Sequence, residues 1–423
     1  MNIQEIVNDI YEKLKTNNNG NVASYIPQLA EVDPNKFAIS ICFVDGKIIN
    51  FGDYEDYFCL QSCSKPLSYC IARELSNENI HNYVGYEPSG QAFNAFVLNR
   101  ENLPHNPLIN AGAIMISSLI KQKEEPSKRF ETIKNYYQRM CANTGIIGFD
   151  NSVFLSEKHH ADRNISLAYY MRQNNAFPKN TGPSEITSNL DLYFQSCSIN
   201  INSKMGACIA STLANGGECP VNGDKIFKED ITSDCLSLMY TCGMYDYSGQ
   251  FAFKNGLPAK SGVSGCLFLV IPNKMGICIW SPRLDDLGNT VRGVEFCKLF
   301  TKLTNKQFHI FRSITNKNYE KNSEIILRDN LINACAKNDI ETVKLLSKKI
   351  NLNISDYDKR TPLHLACIEG NIDIVKFLLE EKCDINVKDR WGNTPLNDVT
   401  KKYEINKDIK YKNIIDLLNN KKS

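Results

Sequence analysis

Two hairpin patterns, separated by a long stretch of helical character, constrain the fold of this chain most strongly. In the first, apolar residues alternate around Ile39 and Ile41, an Asp-Gly dipeptide favours a tight turn, and a second strand follows over 47–51. The second hairpin is predicted over 267–280, where a polar turn separates two apolar runs. Strands near both ends of one domain, with helices between them, predict an α+β fold in which an antiparallel sheet is flanked by a helical subdomain.

Apolar residues recur at helical spacing in several segments. At the N-terminus this spacing predicts an amphipathic helix over 2–15. Further along the chain, the clearer helical segments cover 114–120, 129–142 and 207–214. Polar residues without strong periodicity fill 303–328, which we interpret as a linker between two domains.

The overall composition is typical of a soluble globular protein. Hydrophobic residues make up 42% of the 423 residues, and the formal net charge is +2. So small a charge gives no strong attraction to nucleic acid, and the most apolar stretch, 267–280, is too short and too interrupted to span a bilayer. The segment 2–15 carries acidic residues where a secretory signal would need an apolar run. We therefore expect a cytoplasmic protein with no nucleic-acid partner and no membrane association.

The chain contains 16 cysteines but no zinc-like spacing. The cysteines stand in apolar surroundings such as 41–43 (I-C-F), no two are spaced as C-x-x-C, and only six histidines accompany them. Zinc sites use closely spaced cysteines and histidines, so we expect buried thiols in a reducing compartment instead. Neither a metal nor an organic cofactor is predicted.

The C-terminal region carries an internal repeat. Residues 361–366 (T-P-L-H-L-A) match the ankyrin signature T-P-L-H-x-A, and 394–396 (T-P-L) return 33 positions later, which is the ankyrin period. A weaker match upstream indicates a third repeat. We therefore predict a short ankyrin-repeat array over 329–423, where a protein partner is expected because such arrays present extended binding surfaces.

The chemistry of the chain centres on the segment 62–65 (S-C-S-K). A serine and a lysine three positions apart share one face of a helix, and Pro66 is tolerated only in a first turn, so Ser62 is predicted at a helix start. There a neutral lysine can remove the proton of the serine hydroxyl. The later segment 260–262 (K-S-G) can supply a basic edge strand beside the serine. Together the two segments match the S-x-x-K and K-[ST]-G pattern of penicillin-recognising serine hydrolases.

The S-x-x-K spacing alone is weak evidence. Ser118 and Lys121 repeat it at the end of an apolar helix, where we expect a surface position. Other candidate residues also have simpler interpretations. Asn110 could cap the helix that follows it, Asn164 could stand in a turn, and Tyr193 could belong to the core.

A longer series of segments supports the interpretation of 62–65 as a catalytic segment. Residues 60–67 (L-Q-S-C-S-K-P-L) resemble the catalytic segment of the glutaminase family, which are serine-dependent enzymes that deamidate glutamine. Further segments occur in that family's order: 87–90 (E-P-S-G), 104–107 (P-H-N-P), 110–113 (N-A-G-A), 156–157 (S-E), 162–164 (D-R-N), 193–195 (Y-F-Q), 242–246 (C-G-M-Y-D) and 257–263 (L-P-A-K-S-G-V). The resemblance covers about residues 20–302, and the ankyrin tail is similar to that of kidney-type members.

The resemblance implies a domain organisation and an activity. It implies an N-terminal helix over 1–20 and a catalytic domain over 21–302 with the fold of β-lactamases and penicillin-binding proteins. The implied reaction is the hydrolysis of L-glutamine to L-glutamate and ammonia through a Ser-Lys acyl-enzyme mechanism. Members of the family assemble as dimers or tetramers, so a homo-oligomer is expected.

The resemblance also assigns roles to single residues. Ser62 would be the nucleophile and Lys65 its base, with a pKa lowered by burial and nearby positive charge. Tyr25 and Tyr245 would relay protons, and the N–H groups of Ser62 and Val263 would form the oxyanion hole. The implied substrate-binding residues are Ser62, Asn110, Glu157, Asn164, Tyr193, Tyr245 and Val263.

Two other functions stay open at this point. A β-lactamase-like serine acylase would use the same two segments, although the chain has no S-D-N triplet. From a different class, an ankyrin interaction protein with an inactive catalytic domain would also fit the repeats. The presence of Ser62, Lys65 and Tyr245 together argues against that second alternative.

Overall fold

The computed structural model describes residues 3–76, 79–142, 144–304, 307–310 and 319–421, with side chains from 327 onward in the last range. The chain divides into two compact units, Met1–Arg312 and Ser313–Ser423. None of the described helices has the length and apolar character that a membrane span requires.

The first unit combines helices with two antiparallel sheets. Its α-helices are α1 (Ile3–Leu14), α2 (Pro27–Ala30), α3 (Lys65–Leu75), α4 (Asn110–Leu119), α5 (Pro126–Cys141), α6 (Asn151–His159), α7 (Asp162–Gln173), α8 (Pro183–Cys197), α9 (Ser203–Ala214), α10 (Glu229–Cys242), α11 (Ser248–Asn255) and α12 (Val291–Leu303). Its strands are β1 (Ala38–Phe43), β2 (Ile48–Gly52), β3 (Phe58–Cys59), β4 (Gly148–Phe149), β5 (Ile199–Ile201), β6 (Ala259–Ser261), β7 (Cys266–Ile271) and β8 (Met275–Trp280). Short 3-10 turns cover Gln61–Ser64, Ile80–Asn82 and Tyr245–Tyr247.

The two predicted hairpins meet in one sheet. Strand order is β2-β1-β8-β7-β6, and every neighbouring pair is antiparallel. The N-terminal strand β1 lies directly against β8, with Ile39 opposite Ile279 and Ile41 opposite Ile277. The predicted α+β class is therefore confirmed, and β6, which carries Lys260, forms the sheet edge as expected.

The sheet is buried on both faces, and its side chains alternate between two cores. Ile39, Ile41, Leu267 and Leu269 pack with α1 and α12 on one side. Their neighbours along the strands, such as Phe268, pack with the helical region on the other side. Because side chains of a strand point alternately to opposite faces, burial of both faces makes these strands almost continuously apolar.

Small residues let α9 lie very close to the sheet. A Cβ added to Gly276 would come within 2.0 Å of the backbone N of Ser211, and one added to Gly206 would come within 2.5 Å of Cys278 Sγ. Cys42 and Cys208 are also part of this contact, with sulfurs 3.7 Å apart. All 16 cysteines are buried free thiols, which confirms the expectation from their apolar surroundings.

A second, smaller sheet was not predicted. It has the order β3-β5-β4, and its strands are only two or three residues long. Such short strands carry no recognisable period in the sequence. The sheet positions Ser62, because β3 leads directly into the 3-10 turn that contains this residue.

The second unit consists of paired helices. Its α-helices are α13 (Tyr319–Ala336), α14 (Ile340–Ser347), α15 (Pro362–Glu369), α16 (Ile372–Glu380), α17 (Pro395–Asn406) and α18 (Ile409–Asn420). Helix α13 begins at Tyr319, inside the predicted linker 303–328. The sequence did not indicate this start, because the first turns of the helix are polar and lack an amphipathic pattern. Residues 311–318 lie outside the described residues. The signature His364 accepts from the Thr361 N–H at 3.1 Å and reaches the Asn393 carbonyl at 3.2 Å, which links neighbouring repeats.

One buried arginine anchors both ends of the segment that carries Tyr25. Arg292 in α12 is 1% exposed, and its guanidinium lies over the Phe37 ring at 5.2 Å. The guanidinium donates to the backbone oxygens of Lys15, Asn17, Asn35 and Lys36 and to the side chain of Asn18. Tyr25 is therefore held on a loop whose start and end are fixed to the same side chain.

We expect Arg292→Lys to lower the free energy of unfolding by roughly 2 kcal/mol or more, because an ammonium cannot reach all of these carbonyls and leaves several buried acceptors unpaired. Thermal unfolding of the full chain followed by circular dichroism measures the shift. Arg172→Lys, at an exposed position on α7, is the control and should melt like the parent. Equal midpoints for the two variants would contradict the role of Arg292.

Candidate active site

Ser62 lies at a junction between a strand and a helix. β3 ends at Cys59, the 3-10 turn Gln61–Ser64 follows, and α3 begins at Lys65 with Pro66 in its first turn. The predicted helix start is therefore observed, with Ser62 on a tighter turn just before the α-helix. The Leu60 N–H donates to the Ile199 carbonyl at 2.9 Å, which fixes the approach to this turn.

The residue before Ser62 has a strained backbone. Gln61 has φ +50°, a left-handed conformation that costs a residue with a side chain about 1–2 kcal/mol. Its side chain is 3% exposed and its Nε2 donates to Glu157 Oε1 at 2.9 Å. The strain thus turns Gln61 toward Glu157 while the next residue, Ser62, faces the cavity described below.

Lys65 presents an amine in a fully buried position. It is 1% exposed, and its Nζ donates to Asn110 Oδ1 at 2.6 Å. The Nζ lies 5.9 Å from the ring centroids of both Phe93 and Tyr193. Burial, with the positive charge of Lys260 as the next cause, lowers the pKa of Lys65 to about 7. A substantial fraction of this amine is therefore neutral near pH 7.

Lys260 on β6 is a second buried lysine in the same region. It is 0% exposed, its Nζ donates to the Ser261 carbonyl at 2.6 Å, and it lies 4.5 Å from the centroid of the Tyr245 ring. Burial lowers the pKa of Lys260 to about 8. The edge strand reaches the Ser62 turn directly, since a Cβ on Gly262 would lie 2.8 Å from the Leu60 carbonyl and 3.2 Å from Cys63 Sγ.

Tyr245 stands on a strained turn beside β6. Its φ is +52°, and its carbonyl accepts from Ser248 Oγ at 2.7 Å. Just upstream, the Gly243 carbonyl accepts from the Ser261 N–H at 3.1 Å, which attaches this segment to the sheet edge. The Tyr245 hydroxyl is buried without a hydrogen-bond partner of ordinary geometry among the described residues. Burial raises the pKa of Tyr245, and the nearby Ser62 hydroxyl opposes that rise.

Three predicted substrate-binding residues form one hydrogen-bonded chain. Asn110 Oδ1 accepts from Lys65 Nζ and, at 3.3 Å, from the Tyr193 hydroxyl, while Asn110 Nδ2 donates to Asn164 Oδ1 at 2.9 Å. Asn110 is the first residue of α4 and its side chain does not cap the helix, so the simpler interpretation of this residue is wrong. Burial raises the pKa of Tyr193 well above its usual value.

Glu157 provides a buried carboxylate at the other side of the site. Its Oε1 accepts from the Tyr25 hydroxyl at 2.6 Å and from Gln61 Nε2 at 2.9 Å. Burial raises the pKa of Glu157, and these two hydrogen bonds oppose the rise. Burial and the Glu157 carboxylate raise the pKa of Tyr25 well above its usual value, although nearly half of the residue surface is exposed.

These residues surround a cavity of about 320 Å³. Of the predicted site residues, the cavity is lined by Tyr25, Ser62, Asn110, Glu157, Asn164, Tyr193 and Val263. Lys65 lies buried beside it, next to the rings of Phe93 and Tyr193. Tyr245 does not line the cavity, but its ring packs against Phe93 with ring centroids 5.0 Å apart, and its hydroxyl lies near that of Ser62. The cavity has the size of a small polar metabolite, with a carboxylate, amides and hydroxyls as its polar groups.

Several residues at this site were not predicted. Phe93, His160 and Arg163 line the cavity, Gln61 joins Tyr25 to Glu157, and Lys260 influences Lys65. The K-S-G segment carried a signal for Lys260, since it indicated a basic strand beside the serine. Gln61 carried no such signal in the sequence, because its contacts depend on a left-handed backbone that no sequence pattern indicates here.

The second S-x-x-K segment serves as an internal comparison. Ser118 is 0% exposed, so the expected surface position is wrong. Its hydroxyl donates to the Met115 carbonyl at 2.7 Å, and the Lys121 ammonium pairs with Glu124 at 3.4 Å. Ser118 thus bonds its own helix, whereas Ser62 faces a cavity beside a buried amine.

Comparison with known proteins gives a consistent picture for both units. The family model described as Glutaminase matches residues 20–311, and the model described as Ankyrin repeats (3 copies) matches residues 302–404. Putative glutaminase 2 of Caenorhabditis elegans is 46% identical over 402 residues. That alignment covers 93% of this chain but only 66% of the relative, so this chain spans slightly less than two thirds of the relative's length.

Solved structures extend the similarity to the fold. A probable glutaminase, ybaS, is 30% identical with a TM-score of 0.68, and the match covers 73% of this chain and 98% of ybaS. Mglu in its glutamate form is 31% identical with a TM-score of 0.67, over 73% of this chain and 69% of that chain. The match of the family model to well over half of this chain and the shared arrangement of helices and sheet agree, and the chain belongs to the glutaminase family.

Proposed function

We propose that this chain hydrolyses L-glutamine to L-glutamate and ammonia through an acyl-enzyme on Ser62. The observation that carries the proposal is the fully buried Lys65 amine, with a pKa lowered to about 7, one turn after a serine that lines the cavity. A neutral amine is a general base, and a serine hydroxyl needs such a base to attack an amide.

In the proposed first step, Ser62 Oγ attacks the carboxamide carbon of glutamine while its proton passes to Lys65 Nζ. The carbonyl oxygen becomes an oxyanion, which the N–H groups of Ser62 and Val263 stabilise. Collapse of this intermediate breaks the C–N bond, and the departing nitrogen takes the proton from Lys65 through the Tyr245 hydroxyl. The products of this half-reaction are ammonia and a glutamyl ester of Ser62.

In the second step, water attacks the ester carbon and Lys65 accepts a proton from that water. Collapse of the second intermediate releases glutamate and returns the proton to Ser62 Oγ. The buried Tyr245 hydroxyl, which has no partner of ordinary geometry among the described residues, is suited to pass protons between these groups. Burial raises the pKa of Tyr245, so the phenol stays protonated and can donate.

Glutamine carries an ammonium and a carboxylate away from its amide, and the cavity offers complementary groups. In our proposal the Glu157 carboxylate pairs with the ammonium, since its second oxygen is not used by Tyr25 or Gln61. Asn164 Nδ2 donates to the substrate carboxylate, and the Tyr193 hydroxyl exchanges its 3.3 Å bond to Asn110 Oδ1 for a bond to the same carboxylate. The solved glutamate form of Mglu supports this choice of ligand.

The oligomeric state, the ankyrin partner and the cellular location expected from the sequence remain predictions. We propose that the chain forms a homo-oligomer, a dimer or a tetramer, that its ankyrin repeats bind a protein partner, and that it is cytoplasmic. Light scattering of the purified chain at micromolar concentration tests the first part. A monomeric mass would contradict it.

Ser62→Ala should reduce kcat for glutamine by at least about 10³-fold, because the nucleophile is lost and water must attack directly. Ser118→Ala is the control, since it removes a buried serine from the other S-x-x-K segment without touching the cavity. Ammonia release measured on both folded variants tests the nucleophile. A Ser62→Ala enzyme with more than a tenth of parental activity would disprove the acyl-enzyme.

The rate should rise with pH as Lys65 loses its proton, so kcat/KM is expected to have an ascending limb near pH 7. The charge of Lys260 lowers the pKa of Lys65, so Lys260→Met should raise that pKa and move the ascending limb to higher pH. Lys260→Arg keeps the charge and should leave the limb near its parental position. An unchanged limb in a folded Lys260→Met enzyme would refute this coupling.

Glu157→Gln should impair binding of the substrate ammonium specifically. The glutamine oxygen can still accept from Tyr25 and Gln61, so only the charge is removed. We expect kcat/KM for glutamine to fall by about 10²-fold or more, with little change for the deamino analogue glutaramate. Glu101→Gln, an exposed carboxylate, is the control. An equal loss with both substrates would show that Glu157 does not bind the ammonium.

A further inference from the structure

A second cavity lies directly against the cavity at Ser62. It has a volume of about 300 Å³, and its lining includes Phe93, Ile109 and Tyr245. Phe93 also lines the cavity at Ser62, and so does Asn110, the residue that follows Ile109. The two cavities are therefore neighbours across one thin wall. We call the second one the rear cavity.

The wall between the two cavities is made of two aromatic side chains. The rings of Phe93 and Tyr245 are in contact, with centroids 5.0 Å apart and an angle of 46° between their planes. Tyr245 lines the rear cavity, while its hydroxyl lies near that of Ser62. The Phe93 backbone is held in place, because its carbonyl accepts from the Asn110 N–H at 2.9 Å. A turn of the Phe93 side chain alone would thus join the two cavities.

Each cavity reaches the surface at its own rim. Tyr25 and His160 are exposed lining residues of the cavity at Ser62, and they form its front rim. Gln91 and Gly249 are exposed lining residues of the rear cavity, and they form the rear rim. Among their described lining residues, the two cavities share Phe93 and no exposed residue. The rear cavity therefore has an entrance that is separate from the entrance of the cavity at Ser62.

The chemistry of the reaction, which is that of the proposed function, requires a second entrance. After the C–N bond breaks, the glutamyl group stays bonded to Ser62 Oγ, with its ammonium and carboxylate held at Glu157 and Asn164. Glu157 accepts from the Tyr25 hydroxyl of the front rim at 2.6 Å, so the held end of the substrate lies between this rim and the ester. Ammonia must leave and water must arrive while the glutamyl group blocks the way to the front rim.

We propose that ammonia leaves and water enters through the rear cavity, past the ring of Phe93. The departing nitrogen takes its last proton through Tyr245, so ammonia forms beside the wall as a neutral molecule that can pass the two rings. Water crosses the wall in the opposite direction. Its oxygen bonds to the ester carbon, the bond to Ser62 Oγ breaks, and the proton that Lys65 took from the water returns to Oγ. A volume of about 300 Å³ is several times the space of one water molecule, so the rear cavity can hold both molecules.

Acyl transfer to amines of different size tests this route in the full chain. With glutamine as donor, hydroxylamine and n-propylamine compete with water for the glutamyl ester, and mass spectrometry measures the hydroxamate and the propylamide. The ratio of these two products reports access to the ester, whichever step limits turnover.

Gly249→Trp and Gln91→Trp narrow the rear rim from two segments, helix α11 and the loop before Phe93. A Cβ added to Gly249 meets no atom within 4 Å, so a side chain is tolerated there. We expect each variant to lower the ratio of propylamide to hydroxamate at least about tenfold, because the larger amine is excluded first. The inhibition constant of glutamate, which binds in the cavity at Ser62, should stay at its parental value.

Gly249→Ala and Gln91→Ala are the matched controls and should keep the parental product ratio. His160→Trp narrows the front rim instead, so it should raise KM for glutamine and leave the product ratio unchanged.

The route is overturned by a parental ratio in the folded Trp variants of the rear rim, by an equal change of the ratio in His160→Trp, by weaker glutamate inhibition in both rear-rim variants, or by a parent that forms neither amine product. A parent that releases no ammonia from glutamine refutes the proposed function itself. An active parent beside rear-rim variants of unchanged ratio refutes the route alone.

Discussion

The burial of two lysine amines close to one another is the constraint on which the first unit depends. An ammonium loses its hydration in such a place, so burial lowers the pKa of both Lys65 and Lys260, and the charge of Lys260 lowers that of Lys65 further. Each amine has its own hydrogen-bond acceptor: Asn110 Oδ1 accepts from Lys65, and the Ser261 carbonyl accepts from Lys260. Helix α4 and edge strand β6 are therefore placed where these acceptors are needed.

Two left-handed residues complete the same arrangement. Gln61 stands immediately before Ser62, Tyr245 stands beside β6, and both residues have positive φ. Strain of this kind persists only where surrounding contacts hold it. Here the Ser248 hydroxyl holds the turn of Tyr245, and the hydrogen bond to Glu157 holds Gln61. The strained backbones thereby direct Gln61 to the cavity at Ser62 and Tyr245 to the ring of Phe93, which lines that cavity.

The sequence predicted the parts of this molecule that repeat or alternate. The sheet was predictable because strands buried on both faces are continuously apolar, as in β7 and β8. The family resemblance identified seven of the residues that line the cavity at Ser62, but not Phe93, His160 or Arg163. The three-stranded sheet, the strain at Gln61 and the placement of Lys260 over Tyr245 were not predictable, because each arises from contacts between segments far apart in the chain.

The contact between Gly243 and the edge strand has a further consequence. An edge strand leaves a row of N–H and C=O groups that can pair with a strand of another molecule. Here the Ser261 N–H is occupied by the Gly243 carbonyl, and residue 243 approaches so closely that a Cβ would fall 1.7 Å from the Ala259 carbonyl. The turn that presents Tyr245 thus also covers the open side of β6. Loosening that turn would leave the Ser261 N–H without its partner and open the edge of β6 to pairing with a strand of another molecule, which favours aggregation.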